Sequence, residues 1–409
     1  MTGRPAVAGA SAPATPGRPG GGAARPRVLV THPSAELYGS DRMLAESVHG
    51  LVDAGTDVVV ALPSRGPLVP LLEAAGATVV GTSVPVLRKS SLRPAGALRL
   101  AVDGVRGLVG ALALLRAGRP AAVYVSTQVQ PLWLLAGRLA GVPVVGHVHE
   151  AEGAAARLLR RALASPLRGA ATVLVNSRYA GDVLVGSEPA LAGRPVVVPN
   201  GVAGPPDGPT PLEVPAPGAP VRLVYVGRLS ERKGVLVAVE ALAELRRRGV
   251  DASLDLVGDV FAEHAAFGER LDAALADPAL VGHVHRHGFV PAVWPRLAAA
   301  TVVLVPSLLP EPFGNTAVEA VLAGRPVVAS STGGLPEALA GCGASRLVPP
   351  GEPGAVADAV EAVLAGGPRT VEAAARDAVL LADRHAPGGY REAVAGAVLA
   401  AVAPAGAAR

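Results

Sequence analysis

With one cysteine, Cys342, in 409 residues, the sequence excludes an internal disulfide and any cysteine-rich metal site. Cys342 itself reads as a small loop or core residue. Aromatic residues make up 3% of the chain, so any core must be built from Ala, Val and Leu. No uncharged apolar run reaches the ~18 residues of a membrane span. The C-terminal AVAGAVLAAVAPAGAA is apolar but is broken by Pro404. The first apolar run, Arg27–Thr31, is not followed by Gly-x-Gly-x-x-Gly, only by Gly39-Ser40, and the sequence has no Walker A loop. A dehydrogenase and a P-loop kinase are therefore disfavoured. Residues 1–26 are rich in Pro, Gly, Ala and Ser and lack the ~7–15-residue apolar centre of a signal peptide; they read as a disordered tail on a cytoplasmic protein.

Half of the residues are hydrophobic, enough for two large cores, and the length suits two domains. Short apolar strands are expected at 27–31, 57–62, 77–81, 121–125, 142–147, 171–176 and 195–199. Helices lie between them at 42–54, 67–75, 94–117, 131–140, 154–164 and 177–185. Such alternation predicts a parallel sheet covered on both faces. The Pro-rich DGPTPLEVPAPGAP marks a linker over 206–220. A second alternation follows, with strands at 221–226, 252–257, 283–288, 301–305, 326–329 and 345–348. Its helices are at 233–248, 262–276, 292–299, 316–323, 335–341 and 354–366, and helical segments at 370–384 and 390–402 end the chain. The expected domains are 27–205 and 221–384, with 385–409 a helix and tail. Two doubly wound domains place a cleft between the loops at the carboxyl ends of their strands.

The most informative stretch is LLPEPFGNTAVEAVLAGRPVVAS, Leu308 to Ser330. Pro310, Pro312 and Gly314 put Glu311 on a loop. Asn315 or Thr316 is a good cap type for a helix that carries Glu319 one turn in and stops at Gly324. A helix start is an anion site, so backbone N–H groups from Gly314 to Ala317 suit a phosphate flanked by two carboxylates. This Glu-x7-Glu segment resembles the retaining glycosyltransferases of family 4, which have the GT-B fold.

The resemblance covers about 27–384 and is stronger in the second half. Val226-Gly227-Arg228-Leu229-Ser230-Glu231-Arg232-Lys233-Gly234 resembles the family's Gly-Arg-(x)4-Lys-Gly loop, which implies that Arg228 and Lys233 hold the donor diphosphate. Gly39 and Ser40 resemble the family's glycine loop, with Tyr38 in place of its first glycine. His149, in His147-Val148-His149-Glu150, matches the family's histidine near the anomeric centre, while His147 reads as a core residue. Asn200-Gly201-Val202 resembles a turn before the linker. Gly258-Asp259 and Gly288-Phe289-Val290 resemble positions near the base, and Asn176-Ser177-Arg178 ends a strand facing the cleft. The resemblance implies a metal-independent retaining hexosyltransferase with no cofactor, acting on a nucleotide diphosphate sugar. The assigned catalytic residues are His149, Glu311, Arg228 and Lys233. Glu319 is assigned to ribose hydroxyls and Glu311 to sugar hydroxyls, and the backbone of Phe313, Gly314 and Asn315, with Thr316, to sugar and phosphate. The last helix is expected to cross back to the first domain. Two other readings stay open: a GT-B nucleotide-sugar epimerase, and a non-catalytic two-domain sugar-binding protein, which would require a secretion signal.

Charge is unevenly placed. Residues 27–205 hold 17 Lys and Arg against 11 Asp and Glu, and residues 221–384 hold 15 against 19. Arg88, Lys89, Arg93, Arg99, Arg106 and Arg116 surround the helix expected at 94–117, and Arg157, Arg160, Arg161 and Arg168 form a second cluster. The first domain is thus expected to meet a lipid-linked or oligosaccharide acceptor in cell-envelope polysaccharide or glycolipid synthesis. It is expected to rest on the anionic inner face of a membrane, with no nucleic acid as partner.

Overall fold

A computed structural model describes residues 25–86, 97–151, 156–213, 218–261 and 265–402, with Gly153 and Ala216. The expected tail, apart from its last two residues, and Arg88, Lys89 and Arg93 lie outside the described residues, as does the side chain of Arg99. The first half runs β1 (Arg27–Thr31), α1 (Gly39–Asp53), β2 (Asp57–Leu62), α2 (Leu68–Ala74), β3 (Thr78–Gly81), α3 (Ala97–Gly118), β4 (Ala122–Val125), α4 (Pro131–Ala140), β5 (Val144–Val148), α5 (Arg157–Ala164), β6 (Thr172–Val175), α6 (Arg178–Ser187) and β7 (Pro195–Val197). The second runs β8 (Val221–Val226), α7 (Val235–Arg247), β9 (Ala252–Val257), α8 (Ala265–Leu275), β10 (Val284–Gly288), α9 (Trp294–Ala298), β11 (Val302–Val305), α10 (Asn315–Leu322), β12 (Val327–Ser330), α11 (Leu335–Ala338), β13 (Arg346–Val348), α12 (Pro353–Ala365), α13 (Pro368–Arg384) and α14 (Pro387–Val402).

The strands form two parallel sheets, ordered β3-β2-β1-β4-β5-β6-β7 and β10-β9-β8-β11-β12-β13. Each is covered on both faces because its strands are apolar on both. Val28 and Val30 of β1 enter one core with α1, α2 and α14, whereas Leu29 faces the core under α3 and α4. Leu223 and Tyr225 of β8 pack under α7 and α12, and Val224 packs under α10 and α11. In each sheet the order reverses beside its first strand, between β1 and β4 and between β8 and β11. The loops leaving those strands are where a doubly wound sheet binds ligand.

Chain crossings join the halves. α14 returns from the second sheet to the first, where Tyr390, Val394 and Val398 are buried against α1. Arg325, itself buried, donates from Nη2 to the carbonyls of Thr210 (2.6 Å) and Pro211 (3.2 Å). The proline-rich connection is therefore fastened to the second half rather than hanging free.

Several expected boundaries move. α1 begins at Gly39, three residues before the expected Arg42, which puts Gly39 and Ser40 in its first turn. Asn315 and Thr316 do not cap α10; Gly314 does, at φ 114°, and no side chain bonds the helix end. A short 3-10 turn, Glu231–Lys233, precedes α7, and Gly234 turns into the helix at φ 70°. The helix expected at 335–341 is only Leu335–Ala338.

Candidate functional site

The loops after β1, β5, β8 and β11 enclose a cleft of about 470 Å³ between the two sheets. It brings together His149, Arg228, Lys233, Glu311, Gly39, Ser40, Phe313, Gly314, Asn315 and Thr316. Glu319 opens instead into an adjoining cavity of about 280 Å³, shared with Asp259, Phe261, Phe289 and Val290. The carboxylates assigned to sugar and ribose thus occupy neighbouring chambers. The Phe313 side chain is buried in the core beneath α10, so it offers the cleft only its backbone.

Glu311 sits on the irregular stretch between β11 and α10. Its carboxylate lies 2.6–2.7 Å from Lys233 Nζ and accepts from Ser307 Oγ at 2.6 Å. Burial raises its pKa, but the Lys233 ammonium, the Ser307 hydroxyl and the Arg232 charge outweigh burial and hold it below the ordinary value. The loop is held from behind by glycines. A side-chain carbon on Gly333 would fall 2.3 Å from Glu311 O, and one on Gly334 would fall 2.6 Å from Pro312 O. Gly334 N donates to Glu311 O at 2.7 Å. Sequence reading missed Gly333, Gly334 and Ser307; the Thr-Gly-Gly after β12 was the only local signal.

Lys233 reaches Glu311 because Gly234 lets the chain pass against Pro306, where an added side-chain carbon would stand 1.8 Å from the carbonyl oxygen. Arg228 stacks on Phe261, with Tyr38 to one side. Its guanidinium carbon lies 3.8 Å from the centre of Phe261 and 5.6 Å from that of Tyr38, and the two rings meet edge to face. Tyr38, the departure from a double glycine, thus reaches from the first half to an arginine of the second. Stacking of this kind fixes the plane of a guanidinium while leaving its edge to donate.

Glu319 lies one turn into α10 and faces Arg42 of α1, with Nη1 to Oε1 at 3.4 Å. Burial raises its pKa, and Arg42 and Lys233 oppose the rise. Asn200 donates from Nδ2 to Asn315 Oδ1 at 2.8 Å, another bridge between the halves. Gly39 packs close to this bridge, since a side-chain carbon there would stand 3.0 Å from Asn315 Nδ2 and the amide would have to shift. The N–H groups of Asn315 and Thr316 at the start of α10 have no preceding turn to bond and lie at this region, whereas Ala317 N, expected among the free donors, already donates to Gly314 O at 3.0 Å.

His149 lies at the end of β5. It is buried, its ring stacks 4.0 Å from that of His147, and neither ring nitrogen has a hydrogen-bond partner within the protein. Burial, reinforced by His32, lowers its pKa to about 3, so the imidazole is neutral. The companion His147 is tied by Nδ1 to Tyr124 Oη (2.7 Å), which contacts Ser47 Oγ (3.1 Å) and through it Tyr390 Oη (2.8 Å) on α14. His147 is therefore a core residue, as expected. Below the Gly39 turn, His32 joins Ser126 (2.6 Å) and Asp41 (2.9 Å), and Asp41 accepts from Tyr38 N (2.8 Å). Sequence reading had no signal for this buried trio.

Two family models match the chain. The one described as Glycosyl transferase 4-like domain matches residues 39–201, and the one described as Glycosyl transferases group 1 matches residues 220–366. Between them they take in the loops after β5, β8 and β11 that line the cleft, with Gly39 and Ser40, while Tyr38 and the rest of the loop after β1 precede the first match. The chain belongs to the family 4 type of GT-B glycosyltransferases.

Among characterised relatives, this glycosyltransferase chain is 36% identical over 153 residues to the 2-deoxystreptamine glucosyltransferase of Streptomyces kanamyceticus, which covers 37% of this chain and 38% of that protein. It is 39% identical over 121 residues to the glycogen synthase of Mycobacterium tuberculosis, covering 29% and 28%. The aligned stretches thus span under two-fifths of these relatives. Among solved structures, Anabaena HepE in complex with UDP-glucose superposes over 92% of this chain and 100% of its own at a TM-score of 0.74 and 22% identity. A glycosyltransferase from Rickettsia africae does so over 93% and 99%, at 0.73 and 18%. At such identities the likeness is one of fold, and it makes the two-sheet architecture GT-B.

Proposed function

We propose that the protein transfers a hexose-type sugar from a nucleotide diphosphate sugar to an acceptor hydroxyl, with retention at the anomeric carbon and without a metal ion. The observation that carries this reading is the convergence in one cleft of two cations, Arg228 and Lys233, a buried carboxylate, Glu311, and a neutral imidazole, His149, with both nitrogens unpartnered. A buried polar atom without a partner costs stability unless something fills the need, and a substrate hydroxyl beside His149 would do so. Structures of HepE with UDP-glucose support a nucleotide-sugar donor for this architecture.

In this reading Glu319 accepts from ribose hydroxyls in the smaller chamber, and the base lies toward Phe289. The diphosphate lies along Arg228 and Lys233 and over the start of α10, where the helix dipole favours negative charge. As the bond from the anomeric carbon to the phosphate oxygen breaks, the leaving diphosphate gains charge. Fixed cations that meet that charge lower the barrier, the part a divalent ion plays in other transferases. The acceptor oxygen bonds to the same face of the anomeric carbon and passes its proton to the departing phosphate oxygen. Glu311 and His149 hold the sugar hydroxyls.

The acceptor is proposed to be lipid-linked or a growing saccharide approaching from the first domain, at an anionic membrane surface on the cytoplasmic side, in cell-envelope synthesis. No helix among the described residues is long and apolar enough to cross a membrane. A panel of UDP-, GDP- and ADP-sugars, scored first for thermal stabilisation and then for slow donor hydrolysis in EDTA, tests the donor half. One nucleotide should both stabilise the protein and be hydrolysed with an α-anomeric product from an α-donor. Interconversion of sugars without release of nucleotide would instead make it an epimerase.

A further inference from the structure

One outer face of the first domain combines exposed aliphatic side chains with arginines. α3 and α4 lie side by side over the same core, and the turn Ser165–Gly169 packs against α4 and follows directly from α5. Several of the side chains these helices turn away from the core are aliphatic. On α3, Val105 is 65% exposed and Val109 61%, with Val102 beside them at helical spacing. On α4, Leu139 is 59% exposed, and on α5 Leu158 is 82% exposed. A scattered exposed leucine needs no explanation, but a run of aliphatics across three neighbouring helices does.

The polar residues on this face carry almost one sign of charge. Arg106 and Arg116 on α3, Arg138 on α4, Arg157 and Arg161 on α5, and Arg168 in the turn are all exposed. Of these, Arg161 faces an acid, the buried Glu188 at 3.8 Å. The acid on α3 is Asp103, which is half-buried, and ahead of α5 the half-buried Glu150 accepts from Thr127 Oγ1 and Gln128 N. Long arginine stems between exposed aliphatics let the apolar parts enter an interfacial layer while the guanidinium groups meet anionic headgroups.

We propose that the α3-α4-α5 face is a docking surface for an anionic lipid bilayer, and that α5 sets the distance between bilayer and cleft. The partner is a membrane rather than a protein because its chemistry is diffuse: almost one sign of charge spread over three helices, and aliphatics that protrude singly between the arginines. α5 begins at Arg157, eight positions after His149 at the cleft. A bilayer on this face therefore lies at the first-domain side of the cleft, where the proposed function places the acceptor. The surface deepens that reading, and it can fail without it.

The full chain is mixed with sucrose-loaded vesicles of phosphatidylcholine alone or with phosphatidylglycerol at about one-third, at low and high salt, and sedimented. Binding is expected only with phosphatidylglycerol and should weaken as salt rises. Each arginine near such a surface contributes roughly a fivefold change in partitioning. Replacing Arg138, Arg157 and Arg161 together with Ser should then lower partitioning by about a hundredfold. Leu139→Asn with Leu158→Asn should also weaken binding but leave its salt dependence. Unfolding temperature and donor hydrolysis without lipid, measured on every variant, show whether the fold and the cleft are intact. Recovery of wild type in the supernatant with phosphatidylglycerol at low salt would overturn the surface. So would equal binding by the triple arginine variant, or sedimentation without vesicles, which would make the face a contact between copies of the chain. Intact hydrolysis beside any of these outcomes overturns the surface alone; loss of hydrolysis in wild type overturns the proposed function alone.

Discussion

The ammonium of Lys233 has two claims on it: it pairs with Glu311, and the proposed donor would draw it to a diphosphate. Its carbon stem is about one-third exposed while Glu311 is nearly buried, so the pair is half-way between a surface bridge and a core one. Lys233→Ala would leave a buried carboxylate without its cation and should destabilise the fold by about 2–3 kcal/mol, below the 3–5 typical of a fully buried pair. It should also remove roughly 3 kcal/mol of transition-state stabilisation, the scale of a lost oxyanion donor. Glu311→Gln removes the charge instead, and chemical denaturation should show the double variant costing less than the sum of the two. Strict additivity would mean that the pair is not coupled. His149 and His385 give a second residue-scale expectation. Both are buried, and burial lowers them to about 3 and about 4. In the unfolded chain they take protons near pH 6.5, so the unfolded state binds more protons and stability falls as pH drops from 7 to 5. Each should contribute about 2 kcal/mol to that loss. Glu319 and Glu150, raised by burial, act in the opposite sense. The test is therefore differential: His149→Gln and His385→Gln should each flatten the pH dependence of unfolding relative to wild type. Parallel curves would contradict it.

At the scale of elements, the site depends on where glycines let the backbone pass. Gly333 has φ 62° and stands against the backbone of Glu311. Gly333→Ala should destabilise by about 1–3 kcal/mol through the strained conformation. It should also displace Glu311, so transfer should fall more than nucleotide affinity does. An unchanged Glu311-dependent rate would show that the loop is not positioned from behind. This loop also marks what was legible in the sequence. Strands such as β8 and β11 could be read because both faces of each are apolar and punctuation brackets them. Glu311, Arg228 and Lys233, on the loops after β11 and β8, and Glu319, on α10, were singled out because the spacing of their segments resembles a family's, and the roles given to them are proposals. Helix starts were read less well. Asn315 looked like a cap, but Gly314 at φ 114° turns the chain into α10 and Asn315 reaches across to Asn200 instead. The Thr-Gly-Gly after β12, the Ser307 hydroxyl and the His32-Asp41 pair matter only through contacts with segments distant in sequence. No local pattern announces them.

For the whole molecule, the two sheets are coupled by the return of α14, by Asn200 to Asn315, and by Arg42 to Glu319. The expectation that the last helix crosses back was met, since Tyr390 lies in the first core. The proposed lipid surface and the proposed donor cleft then belong to one coupled body, with the acceptor proposed to enter between them. The account stands on a division of labour inside that cleft, and calorimetry in EDTA measures it directly. The nucleoside diphosphate that stabilises the protein is titrated into wild type, Glu319→Gln, Glu311→Gln and Arg228→Ala. Binding should survive the chelator, weaken about tenfold or more in Glu319→Gln and Arg228→Ala, as loss of a charged hydrogen bond of ~1.5–3 kcal/mol requires, and stay nearly intact in Glu311→Gln. Binding that needs Mg²⁺, or equal losses in both glutamate variants, would contradict the account.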